Sequence, residues 1–332
     1  MLKVLITIDV ETSIGGTFSS PGLLLPVGAE RRIFGKFDGT EYGIPLIMDI
    51  LERHDLKGIF FVEPLCSYYF GLDMVKEVCQ QILKRGHDVQ VHLHPNYQVF
   101  KLPNWEQTVK EGILFSDVMA DYPFEKQLGI IDQTLEILQR CGLNSPVAFR
   151  AGCFGLNLAT LSALRDRNIL FDSSYNLSYL YGPDFADPTK AFNDLTKLNG
   201  VWELPITNYH EFRLRGRHRL RHLDLCGMSF LEIRRILQVA LENGPKHITF
   251  LLHSFSFLRN RDVQYRKVKP NTIVIKRFQR LCEFLANNKK DYHTVTFSDL
   301  AKDLTSLCEG VHHIPFVGNL ASLSRYLLRD IV

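Results

Sequence analysis

Two histidines set two residues apart, His92 and His94 in HDVQVHLHP (87–95), have a spacing that could do chemistry. Side chains alternate along a strand, so Val89, Val91 and Leu93 take one face and Gln90, His92 and His94 the other. Two imidazoles aimed at one space are what a shared metal ion requires. Zinc and related divalent ions combine imidazole with carboxylate, and a catalytic site keeps one coordination position open. Asp9 and Glu11, in TIDVE, repeat the same i, i+2 spacing. One of these carboxylates can hold a metal while the other serves as a general base. A lone histidine at a strand end is ordinary, but a pair beside a D-x-E weighs for a metal site holding Asp9, Glu11, His92 and His94 in some division of roles.

Arg150 closes VAFR and is followed by RAGCFG. A guanidinium here either orients a carboxylate base and holds it ionised or forms a structural ion pair. Gly152 lets the backbone near Cys153 and Phe154 approach a ligand and offer an N–H to a developing oxyanion. His253, at the end of ITFLLH, suits a general acid for an amine leaving group, or else is an ordinary core histidine.

These residues need a scaffold that brings strand ends together. Apolar runs predict strands at 3–9, 58–63, 88–94, 147–150, 169–172, 202–206, 247–253 and 292–297. Helical periodicity predicts helices at 44–54, 72–85, 125–141, 157–166, 229–242 and 271–288, with Gly86, Gly142 and Gly244 as stops. The alternation argues for α/β architecture with a mainly parallel sheet, and the repeat number for a distorted (β/α) barrel of about seven strands. In such barrels the chemistry gathers where strands end. Asp9, Glu11, His92, His94, Arg150, Asp172 and His253 all stand at those ends. No repeat or low-complexity linker divides the chain, so one catalytic domain over 1–332 is expected. Insertions fall near 12–40, 95–124 and 175–200, and a tail over 310–332 docks on the body.

The composition is compatible with this reading. The 332 residues are 45% hydrophobic and 23% charged with a formal net charge of +3, which gives no overall nucleic-acid signal. The first residues read as a strand rather than a secretory leader, no run approaches the roughly 20 apolar residues of a membrane span, and seven scattered cysteines look like reduced thiols. A cytoplasmic location is therefore expected. Phosphate loops, a G-x-S-x-G elbow, H-E-x-x-H and dinucleotide fingerprints are missing.

From residue 3 to about 257 the chain resembles the polysaccharide deacetylase family (carbohydrate esterase family four, the NodB homology group). The motifs run in the family's order: TIDVE, GIFFVEP, GHDVQVHLHP, FRAGCFG, FDSS, ELPIT and LLH. The resemblance implies a distorted barrel, a divalent metal held by one acid and two histidines, and hydrolysis of an N-acetyl group on a sugar. Zinc is the first expectation, with cobalt, nickel or manganese as alternatives. The usual T-F-D-D is D-V-E here, and Asn96 takes the second position of the usual H-x-x-x-H. The pattern is similar to a branch found in lipopolysaccharide and capsule clusters. Keeping the matched position in its family role makes Asp9 the base and Glu11 the ligand. Arg150 would then orient Asp9, His253 act as acid, and Cys153, Phe154 and Asp172 bind substrate. Two competing readings are a metal-independent, allantoinase-like hydrolase of a cyclic amide and a non-catalytic barrel that binds glycans or a partner. The basic run 213–222 is either a solvated face or a contact for a nucleotide-linked or lipid-linked sugar, or for the membrane beside it.

Overall fold

The computed structural model describes residues 1–180, 183–185, 191–214, 217–318 and 321–322; the side chains of 183, 212–214, 217 and 218 are outside the description. The main elements are β1 (Leu2–Val10), α1 (Ile44–Arg53), β2 (Ile59–Val62), α2 (Leu72–Lys84), β3 (Asp88–Leu93), α3 (Phe124–Arg140), β4 (Ala148–Ala151), α4 (Leu158–Asp166), β5 (Phe171–Asp172), β6 (Thr196–Leu198) and β7 (Val201–Glu203). They continue with β8 (Asn208–Leu214), β9 (Arg217–His222), α5 (Phe230–Asn243), β10 (His247–His253), β11 (Leu258–Asn260), β12 (Val268–Pro270), α6 (Thr272–Asn287), β13 (Tyr292–Thr294) and α7 (Phe297–Lys302).

One nine-stranded sheet runs in the order β10-β1-β2-β3-β4-β5-β7-β6, with β13 also pairing with β1. Apart from β6, which is antiparallel to β7, the pairings are parallel. The sheet curls into a parallel half-barrel, as the alternation of short strands and helices predicts. Across its open side, Leu251 N donates to Leu223 O and Thr249 N to Thr207 Oγ1, so the free edge of β10 is covered by the chain around β8 and β9.

Period-two alternation explains what each face does. On β1, Leu2, Val4, Ile6, Ile8 and Val10 join the large core beneath the helices. Leu5 instead packs inside the curl with Ile59, Phe61, Ala148, Phe171, Leu204 and Phe297. The same inner face of β1 continues through Thr7 and Asp9 toward Glu11, passing from apolar to polar as it nears the strand's C-terminal end. The closed end is plugged by α7, whose Phe297 meets the rings of Phe61 and Phe171 edge-on or tilted at 5.7 and 5.4 Å.

Two strands end three residues before the sequence expectation. The strand expected at 292–297 stops at Thr294, because Thr296 and Asp299 form a reciprocal capping box that starts α7. The strand expected at 202–206 stops at Glu203, two residues before Pro205, which has no N–H for a ladder. Of the expected docking tail, the described part lies against the body: Gly310 N donates to Leu195 O, His210 N to Pro315 O and Val317 N to His210 O. Residues 323–332 lie outside the description, as do the side chains of much of the basic run. Within its described part, Arg219 and Arg221 lie 3.7 and 3.6 Å from the buried Glu211 carboxylate. No described helix is long and apolar enough to cross a membrane.

Candidate metal centre

His92 and His94 leave β3 on the inner face, as the alternation requires, with Leu93 buried behind them. His92 Nδ1 lies 2.9 Å from Arg150 O. A carbonyl only accepts, so the proton sits on Nδ1 and the Nε2 lone pair faces the pocket. His94 Nδ1 lies 3.0 and 2.9 Å from the two Asp117 carboxylate oxygens, which fixes its ring in the same sense. The two Nε2 atoms are 3.1 Å apart, and Glu11 Oε2 is 2.7 Å from His94 Nε2 and 3.3 Å from His92 Nε2. The three donor atoms lie within 4.8 Å of one another. Electron-pair donors this close repel unless a positive charge lies among them.

The electrostatics carry the same demand. Burial opposes charge on Glu11, yet the charge of His94, its hydrogen bond and the charge of Arg32 outweigh it and hold the carboxyl well below its usual range. Burial likewise opposes charge on His94, and Asp117 and Glu11 overcome it, raising the imidazole well above its ordinary value. A metal cation held there would displace the proton from His94 Nε2 and leave both imidazoles neutral. The donor set, two neutral imidazoles and one carboxylate, fits a divalent metal of the zinc type with room for a further ligand.

Glu11 offers the histidines only one oxygen. Its Oε1 accepts from Arg32 Nη2 at 2.8 Å. Arg32 also lies 3.3 Å above the Phe255 ring and is bonded to the Tyr265 hydroxyl. The first insertion and the chain after β10 thus jointly orient a carboxylate at the end of β1.

Asp9 points into the same interior but is engaged differently. Its Oδ1 accepts from Arg150 Nη1 at 2.7 Å. Arg150 is fully buried; it crosses the interior from β4 over the Phe61 ring, reaches Thr7 Oγ1 at 3.0 Å and donates to Ser173 O and Oγ at 3.0 and 2.9 Å. The group of convergent donors contains Glu11, His92 and His94 without Asp9. His253 is the register partner of Asp9 across β1 and β10, and its ring centroid is 5.0 Å from that of Phe255.

Cys153 and Phe154 both hold left-handed backbone, φ 54° and 58°, a strained geometry for residues with side chains. The strain sets the loop close to the histidines: a Cβ on Gly152 would come within 2.6 Å of the His94 ring. Cys153 Sγ lies 3.5 Å from Asp117 Oδ2. The Phe154 ring stands against Tyr179 and His222, with centroids at 5.7 and 6.0 Å.

Asp172 departs from its expected place in the substrate pocket. Phe171 faces inward with Ala148, so the next residue faces the other way, and Asp172 is fully buried, bonded to Ser174 Oγ at 2.6 Å and in register with Glu203. The inward neighbour is Ser173, which holds Arg150. Burial, and then Asp172 itself, push the Glu203 carboxyl well above its ordinary range; burial raises Asp172. A carboxyl whose folded pKa lies above its unfolded value contributes stability at pH below about 4.5, and that stability is lost as pH rises through the folded pKa. Glu203→Gln should therefore flatten the pH dependence, gaining on the wild type as pH rises from about 5 to 8. Urea midpoints across that range check this, and a variant whose deficit grows with pH would refute the assignment.

Asp117, Arg32 and Tyr265 carry no mark in the sequence pattern. Asp117 is 23 residues from His94 in an insertion with no regular pattern, and nothing local marks it.

The fold matches solved structures at low identity. Over 95% of this chain and 94% of the other, it superposes on a protein assigned as a polysaccharide deacetylase from Mycobacterium smegmatis, with 12% identity and a TM-score of 0.51. Over 92% and 91% it superposes on Puue allantoinase, with 11% identity and a TM-score of 0.53. A 4-alpha-glucanotransferase from Thermococcus litoralis matches 96% of this chain and 41% of its own length, with 13% identity and a TM-score of 0.50. The likeness establishes the architecture, the curled (β/α) half-barrel of the deacetylase-type structures. No family model matches the sequence, and no curated protein does either.

Proposed function

We propose that the chain is a metal-dependent hydrolase of the polysaccharide-deacetylase type that removes an N-acetyl group from an amino sugar. The observation that carries the reading is the convergence of Glu11 Oε2, His92 Nε2 and His94 Nε2 beside an aspartate held by a buried arginine. A divalent ion held by those three atoms, zinc by preference, supplies Lewis acidity and makes water a stronger acid. Asp9, fixed by Arg150, takes the proton of the attacking water. The backbone N–H groups at Cys153 and Phe154 are the candidates to meet the oxyanion, which the strained loop would pre-orient. His253 then gives a proton to the departing amine. Asp117 positions His94, and Arg32 positions Glu11. The fitting substrate is an acetylated amino sugar of a surface polysaccharide or lipopolysaccharide precursor, nucleotide-linked or lipid-linked, handled in the cytoplasm.

Three convergent donors favour this over the metal-independent, allantoinase-like reading and over a barrel without turnover. His92→Ala is the test. It should lose the metal measured by elemental analysis and release no acetate from an N-acetylated chito-oligosaccharide, with secondary structure intact by circular dichroism. Full turnover in that variant would end the metal reading. A metal-free wild type releasing no acetate but opening a cyclic ureide would favour the allantoinase-like reading.

A further inference from the structure

We infer that the rim beside the candidate site is a docking surface for an anionic phospholipid bilayer. Two loops build it, both leaving the C-terminal ends of strands that carry site residues: 12–28 after β1 and the β11–β12 hairpin after β10. Residues 12–28 contain no charged side chain, and Leu23 and Leu25 stand 83% and 46% exposed there. The hairpin, Leu258–Pro270, holds Arg259, Arg261, Arg266, Lys267 and Lys269, all exposed, with Val263 56% exposed at its tip.

Its one acid is engaged by its own turn. Asp262 accepts from the backbone N–H groups of Gln264, Arg266 and Lys267, at 2.8 Å from the last, and so closes the turn. The two loops form one surface because Gln264 Nε2 donates to Gly15 O and Leu25 O. Gly22 lies beside Glu106 and Lys110, whose opposite charges offset one another, so the cations of this rim come from the hairpin; the exposed Ile113 and Leu114 follow the helix that carries both. Tyr265 anchors the hairpin to Arg32 and through it to Glu11, so the surface keeps a fixed relation to the catalytic groups.

Apolar tips ringed by cations are the combination that holds a protein at an anionic interface: leucine and valine enter the headgroup layer while arginine and lysine meet phosphates. A soluble polyanion would engage the same cations and leave Leu23 and Val263 without a role, so the apolar tips favour the bilayer.

The test is co-sedimentation of the full chain with phosphatidylglycerol vesicles and with phosphatidylcholine vesicles. Sedimentation is expected with the first only and should weaken as salt rises. Arg261→Gln and Lys267→Gln should each lower partitioning about fivefold. Leu23→Asp with Val263→Asp should lower it at least as far as the two charge variants combined, and Leu23→Ser with Val263→Ser serves if the aspartates disturb folding. Metal content and circular dichroism should match the wild type throughout. No sedimentation with phosphatidylglycerol would overturn the inference. So would charge variants losing binding while the apolar variants keep it, an outcome that marks a soluble polyanion. The readout does not depend on turnover, so it stands apart from the deacetylase reading.

Discussion

Asp9→Asn is expected to lower turnover about 10²- to 10⁴-fold, the range that a positioned general base contributes, while metal content stays at the wild-type level. An asparagine oxygen can still accept from Arg150, which preserves the 2.7 Å contact that fixes the side chain. What is lost is a group able to take a proton. The same variant separates the two roles that the D-x-E spacing leaves open. Asp9 lies outside the trio of convergent donors, so its amide should leave the metal in place. Metal lost together with activity would assign Asp9 a ligand role, and unchanged turnover would remove it from the chemistry.

Arg150→Met should cost about 3–5 kcal/mol of stability by urea denaturation. Arg150 has no exposed surface, and its removal leaves Asp9 buried without its cation and Thr7 and Ser173 without a donor. Most of that cost is the stranded carboxylate, so adding Asp9→Asn should return part of it. The double variant should be more stable than Arg150→Met alone, and the four proteins form a cycle that measures the coupling. Strict additivity would show that the pair is incidental to the fold.

The parts of the site visible in the sequence are those fixed by local rules. The alternation within QVHLH places both imidazoles on one face without any knowledge of the rest of the chain, and the strand ends carry Asp9, Arg150 and His253 for the same reason. That rule also exposes an error. Its place at a strand end predicts a pocket-facing Asp172, whereas the inward-facing Phe171 one residue earlier fixes it on the other side. The capping box at Thr296 and Asp299 was present in the sequence as T-F-S-D and shortens the last strand by its own logic. Asp117, Arg32 and Tyr265 had no such signal. Arg32 meets a ring 233 residues away, and only the closed half-barrel brings the two loops together. Long insertions supply the groups that orient the ligands, and their irregular backbone carries no period from which to read a direction.

β1 lies between β2 and β10, with Lys3 opposite His247 and Asp9 opposite His253. During synthesis, one side of this strand therefore waits for a partner that emerges some 240 residues later. Pairings of such long sequence separation slow folding and leave a nascent chain with an unprotected hydrogen-bonding edge. Stalled or truncated products ending before residue 247 should accordingly depend on chaperones, and the fold becomes self-sufficient only when its first strand meets this late one.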